Sequence, residues 1–344
     1  MNNPRSLSSQ PASTPSPAVL GLMAMIPLAA CGAAWEALPS LPQPDGGAIC
    51  SRLGEEIVVA GGTNWPSDVK NWIDHIWAYH PKTKTWREAG RLPFRVAYAV
   101  QGIANGDLYF AGGSDGTKTH TSLQKIALPQ SVLSALQTKT VAPIEPNLVY
   151  ASAEIIGNEL FCIGGAADAA KLETISNACV AIDLVSGKSR KIASLPIPGF
   201  AIGTAVACAG KLYVFGGAHW SAADQTVSNL SETCIYSPKT DRWEKTTPHP
   251  FHVRGATAVT LDAKHIYVAG GYKSEPEGFT AEAFIFNVES LTFQQAPPLP
   301  IQAGTSLVLC DGFVYCIGGE DRKKHRSDLF WRIPAPDLLR SPSL

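Results

Sequence analysis

The sequence predicts an all-β fold, a six-bladed β-propeller closed by its N-terminal strand, and three observations predict it. Gly-Gly pairs recur at 61–62, 112–113, 164–165, 216–217, 270–271 and 318–319, at separations of 51, 52, 52, 54 and 48 residues. Each pair ends a short apolar run: EEIVVAGG, DLYFAGG, ELFCIGG, KLYVFGG, HIYVAGG and FVYCIGG. The sixth copy has only one strand-like segment after Gly319, Asp328–Ile333, while a Trp-bearing segment, Trp35-Glu36-Ala37-Leu38-Pro39, precedes the first copy. A fixed period near 50 residues marks an architecture in which each copy is one supersecondary unit. Composition agrees, because 30 Gly, 26 Pro and 45% hydrophobic content in 344 residues suit many short buried strands joined by turns.

The first 33 residues read differently. Met1–Pro17 is rich in Ser, Pro, Asn and Gln, with Arg5 its only charged side chain. Ala18–Ala30 is an apolar run, short of the roughly 20 residues that a membrane-spanning helix needs but suited to a signal-peptide core. Leu28-Ala29-Ala30-Cys31 resembles the bacterial lipobox, in which the Cys is lipidated after cleavage. The expected organisation is therefore 1–33 as a signal peptide or disordered tail, 34–334 as the propeller and 335–344 as a C-terminal tail. A periplasmic or lipid-anchored protein is expected, with a cytoplasmic one as the alternative.

The other strands of each unit fall into place around the Gly-Gly anchor. An aromatic strand follows, then a turn, then Trp or Phe: Tyr79 and Trp86 around HPKTKT, Tyr236 and Trp243 around SPKTDR, Phe286 and Phe293 around NVESLT. Those intervening residues are hairpin-turn chemistry. A Pro-bearing link (GRLPFR, ASLPIP, PPLPIQ) leads to a small-residue strand such as VAYAVQGI or AGTSLVLC. Each unit is thus a four-stranded antiparallel blade. No Trp follows Leu123–Leu128 or Val180–Leu184, so blades 2 and 3 are expected to pack less tightly at that corner. The sixth blade borrows its fourth strand from Trp35–Leu38, which removes an exposed edge.

Several function classes are disfavoured. A net charge of −1 with 17% charged residues does not fit a strongly basic nucleic-acid binder. The chain has no GxSxG elbow, Walker loop, GxGxxG or HExxH. Its eight cysteines show no CxxC or zinc spacing. Cys162, Cys208 and Cys316 lie inside apolar runs and read as small hydrophobes, although export would leave a disulfide between neighbouring strands open. His249 and His252 share a Pro-flanked link without further metal ligands in view. No metal and no organic cofactor is expected.

In such a propeller the loop after Gly-Gly and the Pro-bearing link are expected to emerge on one face, near the axis. Those loops carry Asn64, Trp65, Asp115, Asp168, His219, Trp220, Tyr272, Lys273 and Glu320 with Arg326. The links add Arg95, Tyr98, Asn147, Tyr150, His252 and Arg254. Clustered carboxylate, guanidinium and aromatic groups fit an anionic, sugar-like ligand, since indole faces stack on sugars and guanidinium forks carboxylates. Asn64, Trp65, Arg95, Asp115, His219 and Arg254 are the expected ligand-binding set. The plain alternative is that loop tips are polar because they face water.

Strand units ending in Gly-Gly at this period resemble kelch-type propellers. GGTNWP (61–66), followed by WIDHIWAY and WREAGRLPFRVAYA, is similar to the sialic acid mutarotases, or N-acetylneuraminate epimerases, which are six-bladed kelch-type propellers. The insert GEDRKKHRSD (319–328) resembles that family's Gly-Glu-(five residues)-Arg-(Ser/Thr) motif, whose Glu and Arg are implicated in catalysis. Taken over about nine-tenths of the chain, the resemblance implies Glu320 as general base and Arg326 as partner of the substrate carboxylate. It also implies interconversion of the anomers of a 2-keto sugar acid. Where the family insert carries Pro and Gly, this one carries Arg322-Lys323-Lys324-His325. The alternative function is a non-catalytic kelch propeller that binds a protein or glycan partner.

Overall fold

A computed structural model describes residues 34–128, 135–145 and 148–340. The expected leader with Cys31, the link residue Asn147 and the last four residues lie outside the described residues.

Six four-stranded antiparallel sheets follow one another along the chain. Blade 1 is built from Ile49–Leu53, Glu56–Ala60, His75–His80 and Thr85–Arg91. Blades 2 to 5 begin with Val100–Ala104, Ser152–Ile156, Thr204–Cys208 and Thr257–Thr260 and repeat that order. Blade 6 takes Gly304–Cys310, Phe313–Glu320 and Ser327–Pro334 and adds Glu36–Ala37 as its outer strand, with Glu36 opposite Arg332 and Ala37 opposite Trp331. The first strand of every blade contacts the first strands of both neighbours, so these six strands form a closed ring about the axis. The sixth blade is completed from the N-terminal side, as the repeat count requires.

The Gly-Gly pairs are what join one blade to the next. In each, the second glycine donates its N–H to a link carbonyl of the following blade: Gly62 to Val96 at 2.7 Å, Gly165 to Phe200 at 2.7 Å and Gly319 to Asp45 at 2.8 Å, with three more of the same kind. All twelve glycines of the six pairs have positive φ, which other residues reach only at a cost. A Cβ on Gly61 would also lie 2.3 Å from the Val96 carbonyl oxygen. No other residue fits there.

The apolar core is divided in the same way. Each of six buried clusters spans two adjacent blades, such as Ile49, Val58 and Ala78 of blade 1 with Leu108 and Phe110 of blade 2. Cohesion therefore resides between blades, as expected for repeats that cannot bury their faces alone. The segment after Pro334, expected as a tail, starts with a short 3-10 turn, Ala335–Leu339, whose Leu338 is fully buried in the cluster between blades 5 and 6.

Candidate functional site

At one end of the axis a cavity of about 760 Å³ opens among the links and the loops after Gly-Gly. Its backbone frame repeats. Gly47, Tyr98, Tyr150, Ile202 and Gly255 hold equivalent places in successive blades, all with φ between 52° and 70°. They are joined in series: Tyr98 N–H donates to Gly47 O at 2.8 Å, Tyr150 to Tyr98 at 3.3 Å, Ile202 to Tyr150 at 2.9 Å and Gly255 to Ile202 at 2.6 Å. For Tyr98, Tyr150 and Ile202 this left-handed backbone costs on the order of 1–3 kcal/mol each, and the interblade bonds hold it. All five residues border the cavity, where the Tyr98 and Tyr150 rings stand 4.7 Å apart.

The Glu320–Arg326 pair forms one wall. Glu320 directly follows Gly319 and is paired with Gly304 at the end of its strand. The insert then turns back, tied by His325 Nδ1 against Asp321 Oδ1 at 2.5 Å, and Ser327 resumes pairing opposite Gly319. Arg326 thereby points inward. Its side chain is only 5% exposed, with Nη1 3.1 Å from Glu320 Oε1 and Nη2 3.4 Å from the Tyr98 hydroxyl. Burial pushes the Tyr98 phenol up, but the Lys70 and Arg326 charges and a hydrogen bond with Thr63 outweigh it and lower it overall. Burial pushes the Tyr150 hydroxyl up. Arg254 lies 4.2 Å above the Tyr272 ring and donates to Asn229 Oδ1 at 2.8 Å, and both it and Tyr272 line the cavity. Within the basic run, Arg322 and Lys323 stand on the cavity wall, whereas Lys324 sits 5.9 Å from the Trp65 ring.

The other expected site residues do not reach this cavity. Asn64 donates to Pro44 O at 3.2 Å and accepts from Asn71, so it ties two loops together. Trp65 lies under the Lys70 and Lys324 ammonium groups. Asp115 caps its own turn through Thr117 and Lys118; burial raises its carboxyl, and those hydrogen bonds outweigh it and hold it at about 2. Arg95 is exposed, and its carbonyl oxygen lies 3.1 Å from His120 Nε2. His219 belongs to a two-stranded hairpin, Ala218–Ser221 with Thr226–Asn229, and its buried Nδ1 has no partner. Lys273 is ion-paired with Glu282, and His252 is exposed. The structure thus brings together Glu320, Arg326, Arg254, Tyr98, Tyr150 and Tyr272.

It also adds residues that residue type alone did not single out. Asp45, 3% exposed, lines the cavity, and the adjoining Gly46 and Gly47 seat the Arg326 side chain and the Tyr98 ring. Register carries the signal for Asp45, because aligned copies of the repeat have apolar residues at its place. From the opposite end, a channel of about 540 Å³ runs between the first strands and holds Gln101 and Glu154. Among the described residues no group of three or more His, Cys, Asp or Glu is placed to hold a metal ion.

Six blades anchored by Gly-Gly, with a cavity on the axis that has charged and tyrosine side chains in its wall, define a repeat-built propeller with a ligand-sized pocket. Residues 150–333 match the KLHDC2/KLHL20/DRC7 Kelch-repeats domain and residues 50–93 the Kelch motif. The chain belongs to the kelch-repeat family. Kelch-like protein 35 of Mus musculus is 30% identical over 273 residues, 78% of this chain and 42% of that protein. Kelch repeat and BTB domain-containing protein 12 of Homo sapiens is 27% identical over 244 residues, 66% of this chain and 38% of that protein. N-acetylneuraminate epimerase of Salmonella typhi is 27% identical over 155 residues, 36% of this chain and 40% of that protein. The chain spans about two-fifths of the length of these curated relatives. The likeness to the epimerases is therefore distant and partial, well short of the nine-tenths that their resemblance suggests on motifs.

Proposed function

We propose that this chain is a binding module, a kelch propeller that receives a protein or glycan partner at the cavity-bearing end of its axis. The observation that carries the reading is the buried Arg326 on the wall of a cavity of about 760 Å³, with Arg254 and three tyrosines on the same lining. A guanidinium removed from water is costly, and one kept beside an open cavity is well placed for an acidic or oxygen-rich group. The similarity of Kelch-like protein 35 over 78% of the chain supports the same class. Glycan and peptide arrays probed with wild type and Arg326→Ala test it. Ligands bound by the wild type and lost in the variant are expected; identical profiles would remove the cavity from the reading.

A second reading is favoured by Glu320 Oε1 lying 3.1 Å from Arg326 Nη1 on that wall, and by the partial likeness to N-acetylneuraminate epimerases. In it, the chain is a sugar-acid mutarotase. Glu320 removes the anomeric hydroxyl proton and delivers one to the ring oxygen. The ring opens, the exposed carbonyl rotates and the ring recloses as the other anomer. A positioned carboxylate contributes typically about 10²–10⁴-fold, and Arg326 forked to the substrate carboxylate holds it by roughly 1.5–3 kcal/mol. The test is NMR of the anomers of N-acetylneuraminate with wild type and Glu320→Gln. Acceleration by the wild type that vanishes in the variant supports this chemistry, and equal rates sink it.

A further inference from the structure

The first strand of every blade is the inner edge of its sheet, so its unpaired backbone groups face the channel of about 540 Å³ at the opposite end of the axis. Register lets the side chains of these strands be compared level by level. Opposite the residue that precedes the first glycine stand Ile49, Val100, Ser152, Thr204, Thr257 and Ser306 in successive blades. Blades 1 and 2 give this level hydrocarbon, and blades 3 to 6 give it an unbroken arc of hydroxyls. All four hydroxyl residues line the channel. Thr204, Thr257 and Ser306 are partly exposed there, and the two threonine hydroxyls have no partner among the described residues. Ser152, 6% exposed, also leaves its hydroxyl without a partner, but it is buried in the wall.

Two residues further along, the level holds Ser51, Gly102, Glu154, Val206, Val259 and Val308. One carboxyl group therefore stands where three blades carry valine. At a strand rise of about 3.3 Å per residue, it lies roughly 6–7 Å from the hydroxyl level. Glu154 is partly exposed on the channel wall and has no ion pair among the described residues. Besides Glu154, only Arg52 and the Cys50 thiol can ionise on that wall. Arg52 is held at the mouth by Gly54 O at 2.8 Å and Asp311 Oδ1 at 3.5 Å, and burial pushes Cys50 up to about 12. A carboxylate without a counter-charge in such surroundings is costly, and burial accordingly raises Glu154 to about 7. Valine fills the same level in blades 4 to 6 without that cost. Departures from a local rule of this kind concentrate at functional sites.

We propose that the channel is a second ligand site, separate from the cavity at the other end, and that it takes a slender polyhydroxylated amine. The ammonium group is the counter-charge that Glu154 lacks, in a charge-assisted hydrogen bond. Hydroxyls of the ligand exchange hydrogen bonds with Thr204, Thr257 and Ser306 one level away. Both features are needed. An amine without hydroxyls leaves the arc unpaired, and a polyol without an amine leaves Glu154 without its cation.

Calorimetry with three probes tests this: 1-amino-1-deoxysorbitol, which has both features, sorbitol, which has the hydroxyls alone, and hexylamine, which has the amine alone. At pH 8 the wild type is expected to hold the aminopolyol at least tenfold more tightly than either of the others. At pH 5.5, where Glu154 is protonated, that affinity should fall at least tenfold. Glu154→Gln should bind the aminopolyol at least tenfold more weakly than the wild type at pH 8, and should show no such fall. The double variant Thr204→Val, Thr257→Val should bring the aminopolyol down to the level of hexylamine and leave hexylamine unchanged. Undiminished binding by Glu154→Gln overturns the proposal. So does a wild type that binds none of the probes, or that holds sorbitol as tightly as the aminopolyol. Hexylamine held as tightly as the aminopolyol overturns the part given to the hydroxyls. Should the threonine variant not fold, the three probes on the wild type decide that part alone. The Arg326→Ala arrays bear on the other cavity, so the two sites stand or fall separately.

Discussion

The Trp35 indole donates its Nε1 hydrogen to the Pro298 carbonyl oxygen at 2.8 Å, across 263 residues of chain. Trp86 makes the same bond to Pro39 at 2.9 Å, and Trp243 to Ala193 at 2.7 Å. In these three blades, 6, 1 and 4, the outer-strand Trp clasps the link that enters that blade. Blades 2, 3 and 5 have no indole to do so, blade 5 carrying Phe293 at that place. For blade 6 the clasp matters most, because the closing strand, Glu36–Ala37, is only two residues long.

Trp35→Ala should therefore destabilise the ring. The change removes a half-buried indole and one hydrogen bond, and leaves Leu38 N–H to Phe330 O and Leu41 N–H to Asp328 O to hold the seam. Urea unfolding is expected to lose about 2–3 kcal/mol. Glu36→Gln, which weakens exposed pairs to Lys84 and Arg332, should cost less than about 1 kcal/mol. Equal effects of the two changes would contradict a seam held mainly by the indole.

Gly46→Ala and Gly47→Ala should separate binding from folding. At Gly46 the new Cβ clashes with the Arg326 side chain alone and makes an ordinary contact with the Gly319 backbone at 3.4 Å, so the expected result is a folded protein with Arg326 displaced and ligand affinity reduced at least tenfold. At Gly47 the backbone has φ 70° and a Cβ would lie 2.5 Å from the Tyr98 ring. There the expected result is a loss of stability, about 1–2 kcal/mol from the backbone alone. Thermal melts and array binding on both variants check the contrast.

These two neighbours also show where the sequence is informative. The blades are legible because period and Gly-Gly agree at every copy and hairpin chemistry joins them in units 1, 4 and 5, and closure is legible because Trp35 repeats the place of Trp86 and Trp243. The site is legible only in part. Glu320, Arg326, Arg254, Tyr98, Tyr150 and Tyr272 converge, but Asn64 and Asp115 are spent on their own loops, and Trp65 serves as a platform for lysines. A polar loop side chain can bond its neighbours or face the axis, and residue type does not decide which. Asp45 was hidden for the opposite reason. It becomes conspicuous only when the copies are aligned and a carboxylate replaces Val, Leu, Phe, Val and Ala.

The seven described cysteines should be silent to thiol reagents in the native protein. All are buried and free, and burial pushes Cys50 and Cys316 up to about 12 and Cys179, Cys234 and Cys310 up to about 11. The thiolate is the reacting form. Labelling with iodoacetamide at pH 8, read by peptide mass spectrometry, should leave these seven unmodified until denaturant is added. Native labelling at any of them would show that its blade opens.

Glu154 should make stability fall as pH rises towards neutrality. It stands in the axial channel, partly reached by water but surrounded by protein, and accepts the Ile155 N–H at 2.8 Å. Burial raises its carboxyl from 4.5 to about 7, against the backbone N–H groups of Ile155 and Ala207. Between those two values the unfolded chain ionises Glu154 while the folded chain keeps it protonated. Folding then binds a proton, so this group's contribution is undiminished near pH 4.5, declines from there to about pH 7 and is level above. Glu154→Gln removes that slope. The two proteins should be similarly stable near pH 4.5, and the variant should lead by about 1–3 kcal/mol at pH 8. Parallel stability curves for the two across this range would show that Glu154 titrates alike in the folded and unfolded chain.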